Sequence, residues 1–108
     1  MPRGEESAAR EFYGGLLGMT ELPKPPALAG RGGCWFESGA AVLHLGVEEP
    51  FAPARKAHPA FLVEDLDALR RRLADAGHDC VSADGEIAGV RRFHTHDVFG
   101  NRVEFQQR

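Results

Sequence analysis

Residues 58–77 read HPAFLVEDLDALRRRLADAG. Phe61 and Val63 alternate with Ala60 and Leu62, which is the two-residue period of a strand. Pro59 sits near the strand start, where a missing N–H is tolerated. Asp65 then offers a helix cap, and Leu66, Leu69, Leu73 and Ala76 recur at helical spacing until Gly77 ends the run. A strand feeding an amphipathic helix must bury that helix against a sheet, so the stretch points to a mixed α+β fold.

Downstream, Cys80-Val81-Ser82 reads as a short strand, Gly85 to Gly89 as a loop, Val90 to Thr95 as a strand, Asp97 to Asn101 as a turn and Arg102 to Gln106 as the last strand. Upstream the pattern recurs. Ser7 is a candidate cap, and Ala9, Phe12, Tyr13, Leu16 and Leu17 form one apolar helix face closed by Gly18. Three prolines and three glycines mark Pro23 to Gly33 as loop. Cys34–Phe36 and Ala41–Leu45 follow as a hairpin across residues 37–40. His44 and Glu104 come at nearly the same interval after the two closing glycines, each in the last strand of its run, which is a weak internal repeat. The counterpart of His58 would precede residue 1, so the first run lacks its opening strand.

The chain has 108 residues, enough for one core and too few for two. We read it as a single domain, 1–108, made of module one (1–46), a connector (47–57) and module two (58–108). Hydrophobic residues at 43% and charged residues at 27% exclude a disordered chain. A net charge of -3 argues against nucleic acid as a partner. The apolar run Ala40–Leu43 stops at His44, far below the ~18 residues of a membrane span. The first ten residues are charged and show no secretory signal. Cys34 and Cys80 form neither a disulfide framework nor a C-x-x-C pair, so free thiols in a reducing cytoplasm are expected. There is no GxSxG elbow, no phosphate-cradling GxxxxGK[ST], no GxGxxG opening a helix and no zinc-knuckle spacing.

Strand alternation sorts the polar side chains. Val103 and Phe105 share one face of the last strand, with Glu104 opposite. Leu43 and Leu45 share a face, with His44 opposite. Phe61 and Val63 share a face, with His58 opposite. If helices cover the apolar faces, His44, His58 and Glu104 lie on the other side. Two imidazoles and one carboxylate suit a first-row divalent ion and leave coordination positions open. Each histidine alone is more often structural.

FYGGLLGM at 12–19, the stretch 58–77 and FGNRVEF at 99–105 resemble the vicinal oxygen chelate superfamily, the group of glyoxalases, bleomycin-resistance proteins and extradiol dioxygenases. The resemblance runs from Ser7 to near the end of the chain. It implies paired βαβββ modules in a half-open barrel, with metal ligands on the first and last strands of the modules. Carried over by position, these are His44, His58 and Glu104. The chain departs from the pattern in lacking the first module's opening strand, which usually carries a ligand, and in carrying Val98 where proline is usual. An uncovered edge there favours a homodimer.

The resemblance thus implies a divalent-metal-dependent lyase, isomerase or dioxygenase. It would act on a small molecule with vicinal oxygens, using Zn, Ni, Mn, Co or Fe. Glu104 and His94 are the candidate catalytic residues, His94 because an unshifted histidine titrates near neutrality. Arg92, if it shares the side of His94, is a candidate for an anionic substrate group, and Trp35 and Phe51 are candidate substrate-binding residues. The alternative is a metal-free drug- or toxin-binding protein of the bleomycin-resistance kind, in which Trp35, Phe36 and Phe51 outweigh the histidines. Arg70, Arg71 and Arg72 read as a solvated helix face.

Overall fold

The N-terminal helix changes its winding part-way. A computed structural model describes residues 1–108; in it α1 (Glu6–Ala9) runs directly into a π-helical segment, Arg10–Leu16. The wider turn is seen in the bond from Leu17 N–H to the Phe12 carbonyl, 3.0 Å. Ala9, Phe12 and Tyr13 are buried as the periodicity requires, but Leu16 and Leu17 are only half-buried. A 3.6-residue period stops holding once the helix unwinds, so the far end of the predicted apolar stripe turns partly outward. Ser7 lies inside the helix rather than capping it.

The chain resolves into two compact units, Met1–Pro53 and Ala54–Arg108. The boundary falls within the expected connector. No strand precedes α1, as the sequence predicted.

In the first unit, β1 (Thr20–Leu22), β2 (Cys34–Ser38) and β3 (Ala41–Leu45) form an antiparallel sheet in that order. β1 and the short α2 (Pro26–Ala29) were not expected. Three residues are too few to show alternation, and α2 sits in a stretch whose prolines signal loop; proline is nevertheless well suited to a first helical turn. Cys34, Phe36 and Leu45 point to the buried face, where the Phe36 ring lies 5.6 Å from that of Tyr13. Trp35 and His44 are register partners on the opposite face.

In the second unit, β4 (Ala60–Leu62), β5 (Val81–Ser82), β6 (Arg91–His96) and β7 (Arg102–Gln107) make a sheet of order β4-β7-β6-β5, with β4 parallel to β7. α3 (Leu66–Asp75) contacts β7. Asp65 caps it, accepting from Ala68 N–H at 3.0 Å. Gly77, at φ +91°, closes it, with His78 N–H bonded back to the Leu73 carbonyl. Leu66, Leu69 and Leu73 are buried, as are Phe93, Val103 and Phe105 on one sheet face. The Phe93 and Phe105 rings lie 5.3 Å apart. Each such burial contributes about 2 kcal/mol. The opposite face of the sheet carries Glu104, His94 and Arg92.

Candidate metal centre

β7 delivers Glu104, β6 delivers Arg92 and His94, and His58 lies two residues before β4. The ladder sets His94 opposite Glu104 and Glu104 opposite Ala60, so their side chains share one face. Nε2 of His58 lies 2.9 Å and Nε2 of His94 3.1 Å from the same oxygen, Oε2 of Glu104. The ligand atoms of these three residues all fall within 4.8 Å of one another. The two imidazoles meet edge to face, with ring centroids 5.2 Å apart.

The other half of the Glu104 carboxylate is held by donors. Oε1 accepts from Arg92 Nη1 at 3.0 Å and from Gln106 Nε2 at 2.8 Å. Burial alone would push the Glu104 carboxyl up, but the bonds from Gln106, His58 and Arg92 outweigh it and hold the pKa down to about 2. Burial lowers the pKa of His94, helped by the nearby Arg102 and opposed by Glu104. His94 is therefore biased toward the neutral form, the form that ligates metals.

The donor chemistry fits a cation. His58 Nδ1 lies 2.7 Å from the Lys56 carbonyl, an acceptor only, so Nδ1 carries a proton. With Nδ1 so engaged, Nε2 is the nitrogen that faces the carboxylate oxygen. Two acceptors at that distance require a proton or a metal ion between them. Carbonyl-fixed tautomers of this kind commonly sit behind metal-ligating histidines. The connector bearing Lys56 is itself anchored, because Ala54 N–H donates to Asn101 Oδ1 and the Ala54 carbonyl accepts from Arg102 N–H, both at 2.8 Å. Asn101 N–H and Nδ2 in turn donate to the buried Asp97 carboxylate.

His58 and Glu104 thus meet as alternation expected, and Arg92 does share the side of His94. His94, expected as a proton carrier, converges with His58 on Glu104 Oε2. His44 is not among the three converging residues. It lies in the first unit, its ring stacked on Trp35 with centroids 3.8 Å apart and planes 4° off parallel. Phe51 is half-buried in that unit, whereas Phe36 is fully in its core. Arg91 points elsewhere, to Asp67 and Asp84. None of Gln106, Glu86, Lys56 and Asn101 was among the expected site residues. Gln106 had a signal, two residues from Glu104 on the same strand face, but the others act through a backbone carbonyl or across loops. A separate cavity of about 450 Å³, lined by Ile87, Val90, Arg91 and Gln107 among others, includes none of the three cluster residues.

The pKa of Glu104 makes an acid effect predictable for the metal-free protein. Its folded value, about 2, lies below the ordinary 4.5, so its stabilisation is complete above 4.5 and is lost as pH falls from there through 2. The full depression corresponds to at most about 3 kcal/mol, and solvent at the Arg92 and His58 ends reduces the expected share to about 1–2 kcal/mol. His94 acts in the same direction, beginning below 6.5. Urea unfolding between pH 7 and pH 3 should show that loss, and Glu104→Gln should remove the Glu104 part of it.

Each unit packs a helix against a sheet, and in the second two histidines and a carboxylate converge on the other face of the sheet. The Glyoxalase/Bleomycin resistance protein/Dioxygenase superfamily matches residues 2–105, and the chain belongs to it. A crystal structure of a glyoxalase family protein from Bacillus anthracis is 46% identical, with a TM-score of 0.92 over 99% of this chain and 87% of that one. Lactoylglutathione lyase from Agrobacterium tumefaciens shares the fold at 20% identity and a TM-score of 0.73, over 99% and 88% of the two chains. TnmS3, an antibiotic binding protein from Streptomyces sp. CB03234, does so at 22% and 0.75, over 99% and 89%. No curated protein gives a significant match. No helix is long and apolar enough to cross a membrane.

Proposed function

We propose that the chain is a divalent-metal-dependent enzyme acting on a small molecule with vicinal oxygens, as a lyase, isomerase or dioxygenase. The supporting observation is the convergence of His58 Nε2 and His94 Nε2 on Glu104 Oε2. In this reading His58, His94 and Glu104 hold the ion, and the other coordination positions stay open to substrate. A bound ion would supply Lewis-acid polarisation of substrate oxygens. The chain supplies the rest. The Lys56 carbonyl holds the His58 tautomer, burial keeps His94 neutral, and Arg92 with Gln106 keeps Oε1 occupied so that Oε2 faces the imidazoles. A cytoplasmic homodimer, expected from the sequence, belongs to the same proposal.

Cobalt(II) titration of the apoprotein, read by visible absorption and calorimetry, tests this. One ion should bind per chain, and His58→Ala and His94→Ala should each weaken binding by more than about 100-fold, beyond the loss typical of outer-shell partners. His44→Ala should bind as wild type does. Retained affinity in His94→Ala with loss in His44→Ala would restore the ligand set expected from the sequence. Absence of binding in the wild type would leave the alternative, a metal-free binder of aromatic compounds. What favours that alternative is the stacked Trp35–His44 pair, and quenching of the single tryptophan would report it.

A further inference from the structure

We infer that the side edge of the Arg92 guanidinium, Nε and Nη2, is a binding place for a ligand carboxylate, and that Glu86 is its displaceable occupant. The place itself stands without a metal.

One end of Arg92 is committed, since Nη1 donates to Glu104 Oε1 at 3.0 Å. The side edge presents two parallel N–H groups, the geometry that receives both oxygens of one carboxylate. Glu86 uses half of it. Its Oε2 accepts from Nη2 at 2.6 Å, while the buried Nε meets no acceptor. Buried donors are rarely left so. The Glu86 side chain is 65% exposed against 15% for Arg92, so the glutamate reaches in from solvent. It sits on the loop between β5 and β6, bracketed by Gly85 and Gly89 at φ +85° and +73°, which gives the backbone beside it unusual freedom.

Exchanging Glu86 for a ligand carboxylate keeps the charge around Arg92 unchanged and fills the Nε–H. A neutral ligand would leave the cation less compensated, and a phosphate dianion would exceed what one arginine already shared with Glu104 can balance. Glu104 links the two places, with Oε1 toward Arg92 and Oε2 toward the imidazoles. A carboxylate on the side edge is separated from the imidazoles by the guanidinium and the Glu104 carboxylate. The ligand class that the side edge takes is a small monocarboxylate.

The experiment uses metal-free, 15N-arginine-labelled protein, with the Nε–H resonance of Arg92 assigned by its absence in Arg92→Lys. Glycolate should shift that resonance at millimolar concentration, and glycolamide should not. Glu86→Gln should tighten glycolate binding about threefold to fivefold, the size of a lost exposed ion pair. Circular dichroism checks that each variant is folded. An unmoved resonance, an equal response to glycolamide, unchanged affinity in Glu86→Gln, or a preference for inorganic phosphate would each overturn the inference. Failure of cobalt binding alongside intact glycolate binding would overturn only the metal reading, and the reverse result only this one.

Discussion

Glu104→Ala should lower the protein's cobalt affinity by well over about 100-fold and destabilise the metal-free fold by about 3 kcal/mol. The two effects have one origin. Glu104 is only 4% exposed, and its carboxylate meets both imidazoles through one oxygen and Arg92 and Gln106 through the other. Its removal deletes a ligand and leaves a mostly buried guanidinium with Glu86 as its one remaining ion-pair partner. Breaking one side of a buried pair ordinarily costs about 3–5 kcal/mol, and the surviving Glu86 contact places this case at the lower end. Glu104→Gln separates the consequences, because an amide oxygen can still accept from Arg92 while the ligand charge is gone. It should fold better than the alanine variant and bind cobalt nearly as poorly. Urea midpoints and cobalt titrations check both, and wild-type cobalt affinity in either variant would remove Glu104 from the centre.

Gly33→Ala should cost about 4 kcal/mol, a large share of the stability of a domain of this size. Gly33 has φ +80°, and a Cβ there would lie 2.1 Å from the Leu45 carbonyl oxygen at the end of β3. Neither atom can swing away, since both belong to backbone. The left-handed conformation alone costs an alanine about 1–2 kcal/mol, and the collision adds to it. Gly39 is the control. It also has positive φ, +57°, but nothing lies within 4 Å of its Cβ position, so Gly39→Ala should cost only about 1–2 kcal/mol. Equal denaturation midpoints for the two variants would refute the role given to the close approach.

Much of the second unit was legible because its signals are local. Asp65 and Gly77 bound a helix whose leucines recur at the right spacing, and the alternation in 102–106 correctly separated Val103 and Phe105 from Glu104. The first unit was less so. The π-winding after Arg10 breaks the very period from which Leu16 and Leu17 were read, and β1 is too short to carry a period. For the site, alternation placed His58 and Glu104 on one face and left open whether Arg92 and His94 join them. It could not say which of them touch.

Local order in the chain, through periodicity, caps and glycines, determined the class of fold and the face on which the chemistry would lie. Tertiary structure alone decided that His94 joins His58 on one oxygen of Glu104, that Arg92 holds the other, and that His44 stacks on Trp35. The reason is physical. Alternation specifies only up or down on a strand, whereas contact depends on the parallel register of β4 against β7 and the antiparallel register of β6 against β7. Those registers come from hydrogen bonds between segments that are remote in sequence.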